Sequence, residues 1–253
     1  MHDLTAPGNS KGRRDQELQE HHQSCDCWPI RLTIVSRKSP MHLTLVAIDD
    51  PLFAAWSAIA ADLDFVDVYR GSIFEVKCDA VVSPANSFGF MDGGIDLAYS
   101  RHFGWQVQER LQDLIREFHH GELLVGTAEI VETDDERIPY LIAAPTMRVP
   151  MILKDTVHPY LATRAMLLLV KHGKFRAGPL KGKPVADVVQ SVALPGLGTG
   201  VGRIDPEVCA RQVRAAIEDV LLDQWEFPTS WEEAQQRHQL LYRDWTTDLQ
   251  DSR

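Results

Sequence analysis

Two segments of the chain combine glycines with polar side chains in a pattern that could bind a phosphate-containing ligand. The first is residues 83–96, SPANSFGFMDGGID. Gly93 and Gly94 allow the backbone to approach a ligand closely, and the helix predicted just after them directs its N-terminal dipole at the same space. A plainer interpretation stays open here, in which the segment is a flexible loop and Asp96 is an ordinary N-cap.

The second segment is residues 194–203, LPGLGTGVGR, with glycine at positions 196, 198, 200 and 202. Glycines at alternate positions leave backbone amides unshielded, as a pyrophosphate cradle requires. The segment is not a P-loop, because no Gly-Lys-Ser/Thr follows, and it lacks the Gly-x-Gly-x-x-Gly dinucleotide fingerprint. The alternative is that these are structural turn glycines.

The elements around these segments predict an α/β fold with a mixed central sheet sandwiched between helices. Apolar runs predict strands over residues 42–48, 65–70, 79–83, 123–132, 140–144 and 188–194. Capping residues and helical spacing predict helices over residues 49–63, 96–118, 159–172 and 206–222. Both glycine segments follow strands, and in such folds ligands bind beyond the carboxyl ends of the strands.

The charge balance argues against duplex nucleic acid as a partner. The chain has 253 residues, with 26 Lys and Arg against 36 Asp and Glu, for a net charge of −10. Duplex-binding proteins normally carry a basic stripe, and none is evident in this sequence. No apolar run approaches the ~18–20 residues that span a bilayer, and no apolar stretch marks a secretory signal at the N-terminus. We therefore expect a cytoplasmic protein without membrane partners.

The patterning divides the chain into three parts. Residues 1–40 are polar and irregular, and we expect a partly disordered N-terminal extension. Residues 41–222 carry the periodic pattern of the folded domain. Residues 223–253 contain three tryptophans among charges, which predicts a helical tail that packs on the domain, or on a partner, through its aromatic side.

The four cysteines do not form a recognisable metal motif. Cys78 and Cys209 lie in apolar patterns and are predicted to be reduced core residues. Cys25 and Cys27 follow two histidines, but their spacing matches no common zinc motif.

Taken together, the motifs resemble those of the macrodomain family, whose members bind ADP-ribose. Ser83-Pro84-Ala85-Asn86 resembles the Asn-Ala-Ala-Asn strand end of the family's hydrolytic branch. Gly93-Gly94-Ile95-Asp96 resembles its Gly-rich loop, with the same ten-residue spacing from Asn86 to Asp96. Residues 194–202 are similar to the family's phosphate loop. The resemblance covers residues 41–222 and implies a macrodomain-like three-layer α/β/α fold.

The resemblance also implies roles for individual residues. Asn86 would hydrogen-bond the distal ribose, and Asp96 would orient or deprotonate a water that attacks the anomeric carbon. The residues that would contact the rest of the ligand are Ser72, Ile73, Gly93, Gly94, Ile95, Gly198, Thr199, Gly200, Val201 and Gly202. Of these, residues 93–95 and 198–201 would line the pyrophosphate with backbone amides. Arg148, after a predicted strand, is a weaker candidate for a phosphate contact.

The sequence departs from the family pattern at several of these positions, as a divergent member would. Ser72 stands where the family's adenine-binding Asp is usual, and Ser83 replaces the first Asn of the motif. Val201-Gly202 lacks the aromatic residue that often covers the distal ribose. The Cys and His residues of the zinc-carrying branch are missing around the Gly-rich loop, so no metal and no cofactor is expected.

Two functions follow from the resemblance. The first is an ADP-ribosyl hydrolase that removes ADP-ribose from a modified side chain or small acyl group. The alternative is a non-catalytic reader of ADP-ribose or a related nucleotide, which needs the loops but not Asp96. The presence of both Asn86 and Asp96 at the family spacing favours the enzyme.

Overall fold

The computed structural model describes residues 41–247, which fold around one six-stranded sheet. The strands are His42–Ala47 (β1), Val66–Arg70 (β2), Ala80–Ser83 (β3), Glu129–Glu132 (β4), Tyr140–Ala143 (β5) and Ser191–Leu194 (β6). They lie in the order β2-β1-β6-β3-β5-β4, and only β4 runs antiparallel to its neighbour. The expected N-terminal extension, with Cys25 and Cys27, and residues 248–253 lie outside the described residues.

Helices cover both faces of the sheet, which confirms the predicted fold class. They are Asp50–Ala60 (α1), Gly94–Phe103 (α2), Gln106–Phe118 (α3), His158–His172 (α4), Pro206–Val220 (α5) and Trp231–Leu240 (α6). One core lies under α1, α4 and α5, and a second core lies under α2 and α3. Among the described residues, no helix has the length and apolar character needed to cross a membrane.

The residues of β3 explain why this strand lies in the centre of the sheet. All four of its residues are buried, and Val81 and Val82 enter opposite cores. A strand covered on both faces reads as a continuous apolar run, as β3 does. The strand pairs in parallel with β5 and β6, so the loops that leave all three strands emerge at the same edge of the sheet.

The single helix predicted over residues 96–118 is wrong, because the chain forms two helices there. Gly104 ends α2 with a positive φ of 98°, and its N–H donates to the carbonyl of Ser100. Side chains other than glycine rarely adopt this conformation. The apolar spacing continues across the break, because both helices cover the same core, and for this reason periodicity did not reveal it.

The strand predicted over residues 123–132 is also too long. Only its last four residues form β4, and the preceding residues form a turn in which Thr127 N–H donates to the carbonyl of Leu124. Gly126 supplies the positive φ of 93° in this turn. Leu123 is buried, and its N–H donates to the carbonyl of Ser87. Its burial explains the apolar pattern at this position, although it does not lie in a strand.

The tail contains the helix α6, and its three tryptophans are largely exposed. Trp225, Trp231 and Trp245 are all more than half exposed. The tail is held by Arg211 of α5, which donates to two tail carbonyl groups and forms an ion pair with Asp244. Packing of the tail through its aromatic side, on the domain or on a partner, stays a prediction.

Candidate functional site

The two glycine segments become neighbours because β3 and β6 are paired in parallel. The β3–α2 loop (residues 84–93) and the β6–α5 loop (residues 195–205) both leave the carboxyl edge of the sheet. This edge is where open α/β sheets bind ligands. The sequence thus located both loops correctly, and pairing of the strands brings them to the same place.

A third segment, the β5–α4 loop (residues 144–157), connects the first two. The N–H of Ser87 in the β3–α2 loop donates to the carbonyl of Arg148 (3.2 Å). At the other end, the N–H of Leu153 donates to the carbonyl of Gly202 in the β6–α5 loop (2.8 Å). Backbone hydrogen bonds therefore fix the two glycine loops relative to each other through this segment. Nothing local in the sequence identified Leu153 as part of the site.

Asn86 shapes the first loop with its own side chain. Its Oδ1 accepts from the backbone N–H groups of Phe88 (3.1 Å) and Phe90 (3.3 Å), and its Nδ2 donates to the carbonyl of Phe90 (2.7 Å). An amide has two N–H donors and two acceptor lone pairs. After these three bonds, one Nδ2 proton remains for a ligand.

The end of the same loop is anchored by Met91, which is fully buried. Its N–H donates to Oε1 of Gln108 (2.7 Å), and its carbonyl accepts from Oγ of Ser100 (2.8 Å). Two helices thus hold the loop just before Gly93 and Gly94. These supporting side chains lie 9 and 17 residues from Met91 along the chain, and no sequence motif pointed to them.

Helix α2 begins with unprotected amides. Its N-cap is Gly93, which provides no side-chain cap, so the interpretation of Asp96 as an N-cap is wrong. Within the described residues, the N–H groups of Gly94, Ile95 and Asp96 donate no hydrogen bond. A Cβ placed at Gly93 or Gly94 would meet no heavy atom within 4 Å. Exposed donors at a helix N-terminus suit an anion.

Asp96 lies in the first turn of α2 and is only 8% exposed. Its Oδ1 accepts a hydrogen bond of 2.6 Å from Oγ of Ser83, the last residue of β3. Its Oδ2 has no hydrogen-bond partner within residues 41–247. Burial raises the pKa of Asp96 to about 6, against the opposing effect of the Ser83 hydrogen bond. The carboxylate is thus ionised at neutral pH and has one oxygen uncommitted.

The β6–α5 loop contains glycines of two kinds. A Cβ at Gly198 or Gly202 would meet Leu153 at less than 3 Å, and a Cβ at Gly196 would meet Leu52 and Thr199. These three are turn glycines packed on the core. Gly200 differs, because it is exposed and a Cβ there would meet nothing within 4 Å.

The exposed part of this loop also carries free amides. Among the described residues, the N–H groups of Thr199, Gly200 and Val201 have no acceptor, and neither has that of buried Gly202. Thr199 is half-buried, whereas Val201 is exposed. Consecutive N–H groups in a turn form a concave anion site. The loop therefore combines structural glycines with one open stretch of donors.

The remaining predicted contact residues are placed less favourably. Ile73 is a buried core residue at the start of a short 3-10 helix, and Ser72 caps that helix through its side chain. Ser72 is exposed, but its N–H donates to Glu75 Oε2. Arg148 forms two hydrogen bonds to the carboxylate of Glu122. Its guanidinium is therefore already partnered.

Two clefts in the described residues lie beside these loops and contain none of the predicted contact residues. A cleft of about 570 Å³ lies between the start of α5 and the tail, and another of about 230 Å³ lies behind Phe88 and Phe90. The candidate ligand surface is instead the exposed backbone of the two glycine loops. In residues 41–247, no three potential metal ligands cluster. Cys78 and Cys209 are buried free thiols, as predicted.

Comparisons with known proteins relate the chain to a known family. A model of the Macro domain family matches residues 82–213. An uncharacterized protein of Aquifex aeolicus is 32% identical over 155 residues, which is 61% of this chain and 80% of the relative. One of Aeropyrum pernix is 30% identical over 158 residues, or 62% and 72% of the two chains. Among solved structures, the Oceanobacillus iheyensis macrodomain with ADP is 18% identical, with a TM-score of 0.48 over 60% of this chain and 74% of that one.

Proposed function

The chain belongs to the Macro domain family, and from this premise we propose that it binds ADP-ribose and hydrolyses it from a modified side chain or a small acyl group. The observation that carries the proposal is the pairing of two rows of free amides with one buried carboxylate at the same sheet edge. The first row begins α2, and the second crosses Gly200. Asp96 lies in the first of these rows.

The free amides account for pyrophosphate binding. The amides of Gly94 and Ile95 would contact one side of the pyrophosphate, and those of Thr199, Gly200 and Val201 the other. Backbone donors and the positive end of α2 stabilise an anion without lysine or arginine. This mode of binding suits a chain with a net charge of −10. Arg148, held by Glu122, is not needed for it.

Asn86 would bind the distal ribose through the one N–H that its loop leaves available. The other three hydrogen bonds of the amide fix its orientation. A donor held in one orientation positions a hydroxyl group at little entropic cost. Ser72 is the exposed candidate near the adenine, whereas buried Ile73 would support the loop from below.

Asp96 would act on water. Its uncommitted Oδ2 orients or deprotonates a water that attacks the anomeric carbon of the distal ribose. A new C–O bond forms, the bond to the acceptor group breaks, and that group leaves with the electron pair and takes up a proton from solvent. A pKa of about 6 suits a general base at neutral pH, since such a group is mostly ionised yet still basic.

A non-catalytic reader is the second candidate. The observation that favours it is the burial of Asp96, which is only 8% exposed, because a reader requires the amides of the loops but no carboxylate that water can reach. The cytoplasmic location and the lack of duplex nucleic-acid binding stay predictions from the sequence.

One experiment separates the two functions. Calorimetric titration with ADP-ribose, AMP and NAD tests binding, and a panel of ester-, amine- and nucleobase-linked ADP-ribose substrates tests hydrolysis. Asp96→Asn should lower hydrolysis by about 10²-fold or more and leave ADP-ribose affinity within a few-fold. Asp92→Asn is the matched control, because Asp92 is exposed in the same loop. Tight binding by the wild type without cleavage of any linkage would favour the reader.

A further inference from the structure

Ser83, the last residue of β3, is fixed by burial and by backbone pairing. Ser83 has no solvent exposure and lies in a strand with neighbours on both sides. Its carbonyl accepts from the N–H of Ala144 (3.0 Å), and it is in register with Ala143 of β5. The position of its hydroxyl oxygen therefore follows from the sheet itself.

The hydroxyl of Ser83 donates to Asp96 Oδ1 at 2.6 Å, which is short for a hydrogen bond between oxygens and typical of an ionised acceptor. Within the described residues it is the only hydrogen-bond partner of the Asp96 carboxylate. Because Ser83 holds Oδ1, the carboxylate cannot rotate freely, and Oδ2 is the oxygen left for water.

In the part of the chain that the structure describes, no charged group contacts the Asp96 carboxylate beside Ser83. The shift in the pKa of Asp96 has two causes, which are burial and the Ser83 hydrogen bond. Tyr99, on the same helix, donates its hydroxyl to the carbonyl of Val82 rather than to Asp96. Burial raises the pKa of Tyr99 and of Cys78, the other titratable group of this core, so both are neutral at pH 7.

We propose that Ser83 is the positioning residue of Asp96, which keeps the carboxylate ionised and aims its free oxygen at the ligand edge. The proposal rests on the proposed function for its catalytic meaning. It also gives a purpose to a departure noted in the sequence, since Ser83 stands where the family motif has Asn. The short side chain of Ser83, at the end of β3, places its hydroxyl against the first turn of α2. There it stabilises the ionised form of Asp96, which burial disfavours.

The first test is a pH titration of Asp96, monitored by carboxyl ¹³C NMR on the full chain. It does not depend on activity. Ser83→Ala should move the Asp96 midpoint upward by about one pH unit, because the hydrogen bond to the ionised form is lost. Ser83→Thr keeps the hydroxyl, so the Asp96 midpoint should stay at its wild-type value. Ser57→Ala is the control, because the Ser57 hydroxyl donates to the carbonyl of Phe53 within α1 and its loss should leave the midpoint unmoved.

The kinetic arm uses the same variants. The acid limb of kcat against pH should shift upward in Ser83→Ala, so that kcat falls more at pH 6 than at pH 8 while KM changes little. Ser83→Cys, a near-isosteric change to a weaker donor, gives an intermediate shift and serves if the alanine variant fails to fold. An unmoved Asp96 midpoint in a folded Ser83→Ala or Ser83→Cys variant would overturn the proposal. Absence of hydrolysis in the wild type would instead contradict the proposed function, and the NMR titration would still decide the role of Ser83.

Discussion

Leu153 and Gly202 are joined twice, once through the backbone and once through packing. The N–H of Leu153 donates to the carbonyl of Gly202, and its side chain fills the space that a Cβ on Gly202 would need. The contact links the β5–α4 loop to the β6–α5 loop. It also explains why glycine is needed at position 202 for structural reasons, while position 200 is open.

This contrast predicts that two alanine substitutions differ in their effect on stability. In Gly202→Ala the new Cβ would lie 2.5 Å from the carbonyl oxygen of Gly198, a backbone atom that cannot move cheaply. We expect a loss of about 1–3 kcal/mol in the free energy of unfolding. Gly200→Ala meets no atom and should stay within about 0.5 kcal/mol of wild type. Urea unfolding of both variants measures the difference, and equal stabilities would contradict the assigned packing.

Gly200→Glu should weaken ADP-ribose binding while leaving the fold intact. The site is open, so the side chain fits, but its carboxylate would lie beside the amides proposed to hold the pyrophosphate. Repulsion between like charges at short range should reduce affinity more than tenfold, which is about 1.4 kcal/mol. Gly200→Gln, of the same size without the charge, is the control. If the folded Glu variant binds ADP-ribose as wild type does, the loop does not hold the phosphates.

ADP-ribose should raise the melting temperature of the wild-type protein. A ligand that binds only the folded state at 100 times its Kd stabilises that state by about 2.7 kcal/mol. The same titration with AMP should give a smaller shift, because AMP lacks the second phosphate and the distal ribose. No shift at millimolar ADP-ribose would contradict the assignment of the ligand.

The parts of the site that the sequence predicted are those encoded locally. Gly93, Gly94 and Asp96 lie within four consecutive residues, and the glycines of residues 196–202 alternate in one short loop. Both loops could be assigned to the carboxyl edge of the sheet because the strands before them have the sequence of buried apolar runs. The fold class followed from the same alternation of strands and helices.

The parts that the sequence did not predict depend on contacts between distant elements. The partner of Asp96 is Ser83, thirteen residues earlier on a different element, and only the packing of α2 beside the end of β3 brings them together. The turn glycines at 198 and 202 cannot be told from Gly200 until Leu153 is placed against them. The break at Gly104 was hidden because one apolar stripe serves two helices.

Asp96→Asn should make the protein more stable at neutral pH, in the opposite direction from its effect on activity. The pKa of Asp96 is raised to about 6 in the folded protein, from an ordinary value of 3.8. Between these values the folded state binds more protons than the unfolded state, so the free energy of unfolding falls as pH rises from about 4 to about 6. Below pH 4 both states are protonated and the effect vanishes. The cost of burying the charge is fully present above pH 6, on the order of 3 kcal/mol for a shift of about two units.

Asparagine removes this cost, so Asp96→Asn should exceed wild type in stability at pH 8 and match it near pH 4. Urea unfolding of both proteins across this range, with Asp92→Asn as the exposed control, measures the difference. A stability difference that stays constant with pH would show that Asp96 is not a buried carboxylate held ionised for function.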